Sequence, residues 1–162
     1  MKKFLILNLI FLITSCTWTP RNILPTYLRT IYVPVAENKT LTPDIEKLLT
    51  EKVKTEFQLD SRLTVTEYVS LAHGILYIQI LKYKLVPVTY TSSGEIDTTS
   101  LIIGVRIELK DIKSTETLIE GEIEEKTDYN LKSEPIETET EARERVLANL
   151  AKRIVSKSIE GW

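Results

Sequence analysis

One thiol stands in the chain, Cys16, and the residues ahead of it, Ile13-Thr14-Ser15, give it the setting of an acylation site. Small side chains at the two positions before the cysteine let a lipoprotein peptidase close around the backbone, while the thiol accepts a diacylglycerol. The chain upstream fits that chemistry. Lys2 and Lys3 form a short basic region, an apolar run from Phe4 to Ile13 is broken only by Asn8, and no acid occurs before Cys16. This is a secretory signal over residues 1–15, with an apolar run too short to span a bilayer as a helix. The bland alternative is a bystander cysteine behind an ordinary signal. A secreted domain using cysteines for disulfides needs an even number, and Cys16 has no partner. Acylation contributes about 0.8 kcal/mol per buried CH₂, and several palmitate-type chains together hold firmly where one is marginal. Thr17, in place of aspartate, favours the outer membrane by analogy with enteric sorting. The expected location is therefore a lipid anchor on its periplasmic face.

Other reactive constellations are missing from the sequence. There is no nucleophile with a matched base, no metal-ligand cluster and no phosphate-cradling glycine loop, so neither an enzyme nor a cofactor is expected. His73 stands alone before Gly74 and reads as a turn or strand-edge residue. The run Glu120, Glu122, Glu124, Glu125 lacks the loop geometry of calcium sites and reads as a solvated strand face. Lys82, Lys84, Arg106 and Lys110 could form a patch for an anionic ligand, although scattered cations on a wet sheet face usually only solubilise. The formal net charge is −2. Release of residues 1–15 removes two lysines and no acid, taking it to −4, which argues against generic nucleic-acid binding.

Residues 16–28 hold two prolines and no period, and read as a lipidated tether; residues 29–160 read as a single domain. Ile31, Val33 and Val35 suggest a first strand that Pro34 confines to an edge or an end. Thr42 as N-cap, Pro43 at the first helical position and Asp44 and Glu46 in the first turn predict a helix ending near Leu59-Asp60. Ile45, Leu48, Leu49, Val53 and Phe57 form its apolar stripe. Leu63 and Val65 give a short strand, and residues 75–90 a long bent one with Pro87 at a bulge or edge. Ser92-Ser93-Gly94-Glu95 turns into a strand whose Leu101, Ile103, Val105, Ile107 and Leu109 face one way. An acidic strand over residues 118–129 follows. Thr138 and Glu141 form a capping box for a last helix with the stripe Ala142, Val146, Leu147, Leu150, Ile154. The predicted fold is α+β, in strand-helix-strands-helix order. Two helices pack on one face of a mostly antiparallel four- to five-stranded sheet.

Three segments, 27–65 (YLRTIYVPVAENKTLTPDIEKLLTEKVKTEFQLDSRLTV), 87–130 (PVTYTSSGEIDTTSLIIGVRIELKDIKSTETLIEGEIEEKTDYN) and 139–154 (ETEARERVLANLAKRI), resemble the outer-membrane lipopolysaccharide-assembly lipoprotein family of LptE type. The resemblance implies a non-enzymatic plug inside an LptD-type β-barrel that assists the barrel's assembly and binds lipopolysaccharide in transit. It also makes the central hairpin, Tyr90, Ser92, Ser93, Gly94 and Glu95, a candidate partner contact. Family members place a basic residue at that tip, and this chain has none. Candidate lipopolysaccharide contacts therefore shift to Lys82, Lys84, Arg106 and Lys110, where each strand's pair shares a side but the hairpin register leaves open whether the two pairs coincide. Ala72-His73 likewise stands where the family often has Ala-Asp. The alternative is a periplasmic lipoprotein resembling CsgG or LpoB modules, which open with a similar strand and helix and serve as secretion-pore subunits or cell-wall synthase activators.

Overall fold

A computed structural model describes residues 24–160; the signal segment, Cys16 and the first part of the tether lie outside the described residues. The elements run β1 Thr30–Tyr32, β2 Glu37–Asn38, α1 Ile45–Asp60, β3 Thr64–Thr66, a 3₁₀ turn Val69–Leu71, β4 Gly74–Tyr90, β5 Ile96–Asp111, β6 Thr117–Asn130 and α2 Glu139–Glu160. The sheet order is β3-β1-β4-β5-β6, with β2 added beside β4. α+β is thus correct, but the sheet is mixed, with six strands. β4, β5 and β6 are antiparallel, whereas β1 pairs in parallel with β3 and β4, and β2 with β4. The expectation of a mostly antiparallel sheet failed because the parallel strands are two or three residues long, below the length at which side-chain alternation is visible. Their direction is set by α1, which carries the chain back across the sheet between β1 and β3.

Both helices cover one face. Ile45, Leu49, Val53 and Phe57 of α1 and Ala142, Val146, Leu147, Leu150 and Ile154 of α2 are fully buried against Leu76, Ile78, Ile80 and the five apolar residues of β5. The stripe spacing turns these residues inward at periods of three and four. Leu48, expected in the stripe, lies at its edge and is exposed. Leu28, read as tether, is buried in the same core.

Helix α2 begins as expected: Thr138 Oγ1 accepts the Glu141 N–H at 3.2 Å while Glu141 Oε2 accepts the Thr138 N–H at 2.8 Å. Helix α1 does not. It starts at Ile45, with Asp44 in the left-handed region at φ 63° and no side-chain cap. Asn38 ties together the turn ahead of the helix without capping it. Its Nδ2 donates to the Thr42 carbonyl at 2.7 Å and to Glu46 at 2.9 Å, while its Oδ1 accepts the Thr40 N–H at 2.9 Å. A buried hydroxyl completes the connection, as Thr50 Oγ1 accepts the Ala36 N–H at 2.9 Å and donates to the Glu46 carbonyl at 2.6 Å.

His73 fills the strand-edge role read from sequence. Its Nδ1 accepts the N–H groups of Arg29 and Thr30, both at 3.3 Å. Its Nδ1 also stands 2.9 Å from Thr30 Oγ1. Its backbone donates to the Thr30 carbonyl and accepts the Ile112 N–H, both at 2.9 Å.

At the end of β5 the buried Asp111 gathers the Tyr27 hydroxyl and the N–H groups of Lys113 (2.6 Å) and Ser114 (3.2 Å). The Tyr27 bond, ahead of the backbone donors, holds the Asp111 carboxyl below its ordinary value of 3.8. A depressed carboxyl contributes stability that is present above the unfolded value and lost as pH falls through the folded one. Asp111→Asn is therefore expected to lower the melting temperature at neutral pH and to flatten its decline below pH 3.8. Thermal melts at neutral and acid pH test this; an Asn variant with the wild-type acid slope would contradict it.

Candidate functional site

Among the described residues no element covers the face of the sheet away from the helices over β5 and β6, and the four sequence-selected cations lie on it. Residues directly opposed in an antiparallel pair share a face. Lys82 opposes Gly104, Lys84 opposes Ile102, Gln79 opposes Arg106 and Ile75 opposes Lys110. A bulge between Ile80 and Lys82 inverts the alternation of β4. Before it Leu76, Ile78 and Ile80 face the helices; after it Tyr83 does, leaving Lys82 and Lys84 on the open side. The bulge thus decides the question of register, and all four cations share one face.

They do not form a compact cluster. Lys84 and Lys110 lie about 27 Å apart along β5 at 3.4 Å per residue, with Lys82 and Arg106 as near neighbours between them. Carboxylates interleave with them: Lys82 pairs with Glu124 of β6 across Gly104, Arg106 with Glu122 of β6 at 2.6 Å, and Lys110 with Glu108 of its own strand at 3.1 Å. Only Lys84 of the four has no carboxylate partner among the described residues. Lysine 82 passes so close to Gly104 that a Cβ there would stand 3.2 Å from its Cβ.

Beside Arg106 and Lys110 the open face carries a groove of about 530 Å³, walled by Pro34, Val35, Glu37 and Tyr77. Lys110 Nζ sits 5.8 Å from the Tyr77 ring centre, a cation–π distance, and Gln79 Nε2 donates to Glu37 at 2.6 Å. Sequence reading missed this wall. Residues 33–36 looked like the end of a strand, whereas they bend over the open face between β1 and β2, with Val35 exposed and Val33 and Ala36 buried.

At the far end, β4 and β5 project past the first turn of α2. Tyr83 donates to Glu139 in that turn at 2.5 Å. Burial, and then this bond, pushes its phenol well above the ordinary tyrosine range. Beyond Tyr83 the hairpin exposes Leu85, Val88, Tyr90 and Ile96. The tip closes through Thr91 N–H to the Glu95 carbonyl (2.8 Å) and Gly94 N–H to the Thr91 carbonyl (2.9 Å), with Gly94 at φ 85° as the tight turn requires. Ser92, Ser93, Gly94 and Glu95 are exposed. The tip itself has no basic residue, yet Lys132 from the loop after β6 approaches Glu95 at 3.7 Å. Its separation in sequence from the tip hid it.

Among the described residues no three histidine, cysteine or acidic side chains converge as a metal site, and no helix is long and apolar enough to cross a membrane. The described residues form a two-helix, one-sheet module whose accessible features are an open charged face and a projecting hairpin. Residues 28–158 match the family model LptE, lipopolysaccharide-assembly, and the chain belongs to that family. Similar folds occur in a hypothetical protein from Chlamydia trachomatis (TM-score 0.61, 10% identity, covering 83% of this chain and 96% of that one). They also occur in a minor lipoprotein from Acinetobacter baumannii (0.51, 14%, 85% and 94%) and the rare lipoprotein B from Shewanella oneidensis (0.50, 13%, 80% and 93%). At these identities the likeness is one of fold. A comparison with curated proteins returned no match.

Proposed function

We propose that this protein is a non-enzymatic lipoprotein of the outer membrane, acylated at Cys16, that seats in the lumen of an LptD-type β-barrel, assists its assembly and meets lipopolysaccharide in transit. The observation that carries the reading is the family match over residues 28–158. The physical chemistry of the surface supports it. A barrel lumen is polar, and an open sheet face with cations and carboxylates in alternation suits such a wall better than it suits a lipid or a hydrophobic core. The exposed apolar residues of the hairpin add contact area at one end. Affinity purification from detergent extracts is the test: a stable one-to-one complex with an outer-membrane barrel is expected. Recovery of a cell-wall synthase or a homo-oligomeric ring, with no barrel, would replace this reading by the CsgG/LpoB alternative.

Lipopolysaccharide contact is assigned to Lys82, Lys84, Arg106 and Lys110, because a phosphate removed from water must meet cations. The phosphate has to exchange with Glu124, Glu122 and Glu108, and exposed ion pairs of this kind contribute only about 0.2–1 kcal/mol each, so exchange costs little. Lys82→Glu combined with Arg106→Glu leaves acid facing acid at two exposed positions, a small penalty to folding for the same reason. The double variant is expected to keep its circular dichroism spectrum and to bind lipopolysaccharide about a hundredfold more weakly, as loss of two charge-assisted contacts produces. Unchanged affinity in a folded variant would remove this face from the ligand path.

A further inference from the structure

The chain enters the domain at one end of the sheet, and that end has a composition of its own. Leu24, the first described residue, lines a recess with Leu63 and Ile159, at the ends of the loop after α1 and of α2. β1 and β4 start there side by side, with Ile31 opposite Gly74, and β5 ends there, with Asp111 opposite Gly74. The hairpin tip lies at the opposite end, 17 residues of β4 away.

Two cations flank the entry point, Arg29 and Lys113. Both are exposed, and neither has an ion-pair partner among the described residues. Eleven other lysines and arginines of the described chain hold carboxylates. Lys113 Nζ instead stands 5.6 Å from the ring centre of Tyr27. Beside it the Asp111 carboxylate is occupied by the Tyr27 hydroxyl and two backbone donors, and Glu116 also lies within electrostatic reach of Tyr27. Against Thr30 lies the turn Val69–Leu71, tied there by Thr30 Oγ1 donating to the Leu71 carbonyl at 2.9 Å; Val69 and Leu71 are 45% and 63% exposed. Unpaired cations, an aromatic ring with a polar tip and exposed aliphatic side chains are the constituents of a membrane-interface surface.

The tether makes the occupant specific. Eight residue steps separate Cys16 from Leu24, a reach of about 27 Å when fully extended, so acyl chains at Cys16 keep this end within that distance of the bilayer, with the hairpin tip farther off by the 17 residues of β4. We propose that the entry end is a lipid-facing surface, with Arg29 and Lys113 on anionic headgroup phosphates and Val69 and Leu71 at the acyl boundary. This rests on the acylation reading of Cys16 and goes beyond it, because a tether alone leaves the domain free to tumble. The hairpin then projects from the headgroup level, oriented by the domain itself.

Because Cys16 is the sole cysteine and is acylated, a cysteine introduced elsewhere can be labelled uniquely. Leu71→Cys and, at the hairpin tip, Ser93→Cys each carry a fluorophore, in mature lipidated protein reconstituted into vesicles with nitroxide-labelled headgroups. Vesicles of phosphatidylethanolamine with phosphatidylglycerol are compared with phosphatidylcholine alone. Flotation through high salt is read first: protein that stays behind refutes the acylated anchor and this proposal with it. For protein that floats, severalfold stronger quenching at Leu71→Cys than at Ser93→Cys is expected, greater on anionic vesicles. Arg29→Glu with Lys113→Glu is expected to abolish the difference, while Lys126→Glu with Lys152→Glu, an equal charge change elsewhere, preserves it. Should the first pair disturb the circular dichroism spectrum, Arg29→Gln with Lys113→Gln replaces it. Equal quenching at both sites, or quenching indifferent to the Arg29 and Lys113 substitutions, would overturn the proposal while leaving the anchor intact.

Discussion

Cys16→Ala is expected to shift the protein from the salt-washed membrane fraction to the soluble fraction or to an unprocessed precursor. Each acyl chain contributes about 0.8 kcal/mol per buried CH₂, marginal for one chain and firm for several together. No helix among the described residues is long and apolar enough to replace it. The run from Phe4 to Ile13 covers about half the roughly 20 residues that a spanning helix needs. Contacts of Arg29 and Lys113 with headgroups are worth about 1 kcal/mol each and are screened by salt, so a salt wash separates the two contributions. Mass spectrometry of the wild-type membrane fraction should find residue 16 as the acylated N-terminus. Any other mature N-terminus, or an Ala variant retained as firmly as wild type, contradicts the assignment.

Thr50→Val is expected to destabilise the domain by about 2 kcal/mol, because it removes a hydroxyl without changing the side chain's volume. Thr50 is 2% exposed and is the acceptor for the Ala36 N–H. Valine leaves that N–H unpaired beside the core, and an orphaned buried donor costs more than the hydrogen bond contributed. The consequence reaches the open face, since Ala36 anchors the segment whose Pro34 and Val35 wall the groove beside Arg106. Thr50→Ser, which keeps the hydroxyl, separates the two effects: the midpoint of denaturant unfolding should fall markedly less than in the valine variant. A valine variant as stable as wild type, with serine the costlier change, would show that the methyl group and not the hydrogen bond is what position 50 supplies.

Much of the architecture was legible because the long elements repeat their pattern. Five alternating apolar residues in β5 and two amphipathic stripes of 16 and 22 residues leave few ways to bury them. The Thr138–Glu141 capping box is a local interaction with a fixed spacing, so sequence alone could carry it. Short strands repeat nothing. The parallel pairing of β1, β2 and β3 depends on where α1 delivers the chain, and the α1 start depends on Asn38, whose partners Thr42 and Glu46 are bonds across a turn. Thr42 had the right residue type for an N-cap, but Asp44 adopted φ 63° and moved the helix start to Ile45.

By itself the sequence determined the two buried helix faces and the family, and it offered Cys16 as the proposed acylation site. All of these are contiguous signals, carried by residue type at short spacing. Tertiary structure alone decided which cations share a face. A single extra residue between Ile80 and Lys82 turns the side chains of β4 from Lys82 to Pro87 to the other side, and neither alternation nor composition records where a bulge falls. It also decided the charge balance of that face, since Glu122 and Glu124 meet Arg106 and Lys82 only through the β5–β6 register. The pairing of Arg29 with Lys113 at the entry end has the same origin. They lie 84 positions apart in the chain, and only the closing of β1, β4 and β5 at one edge of the core brings them together.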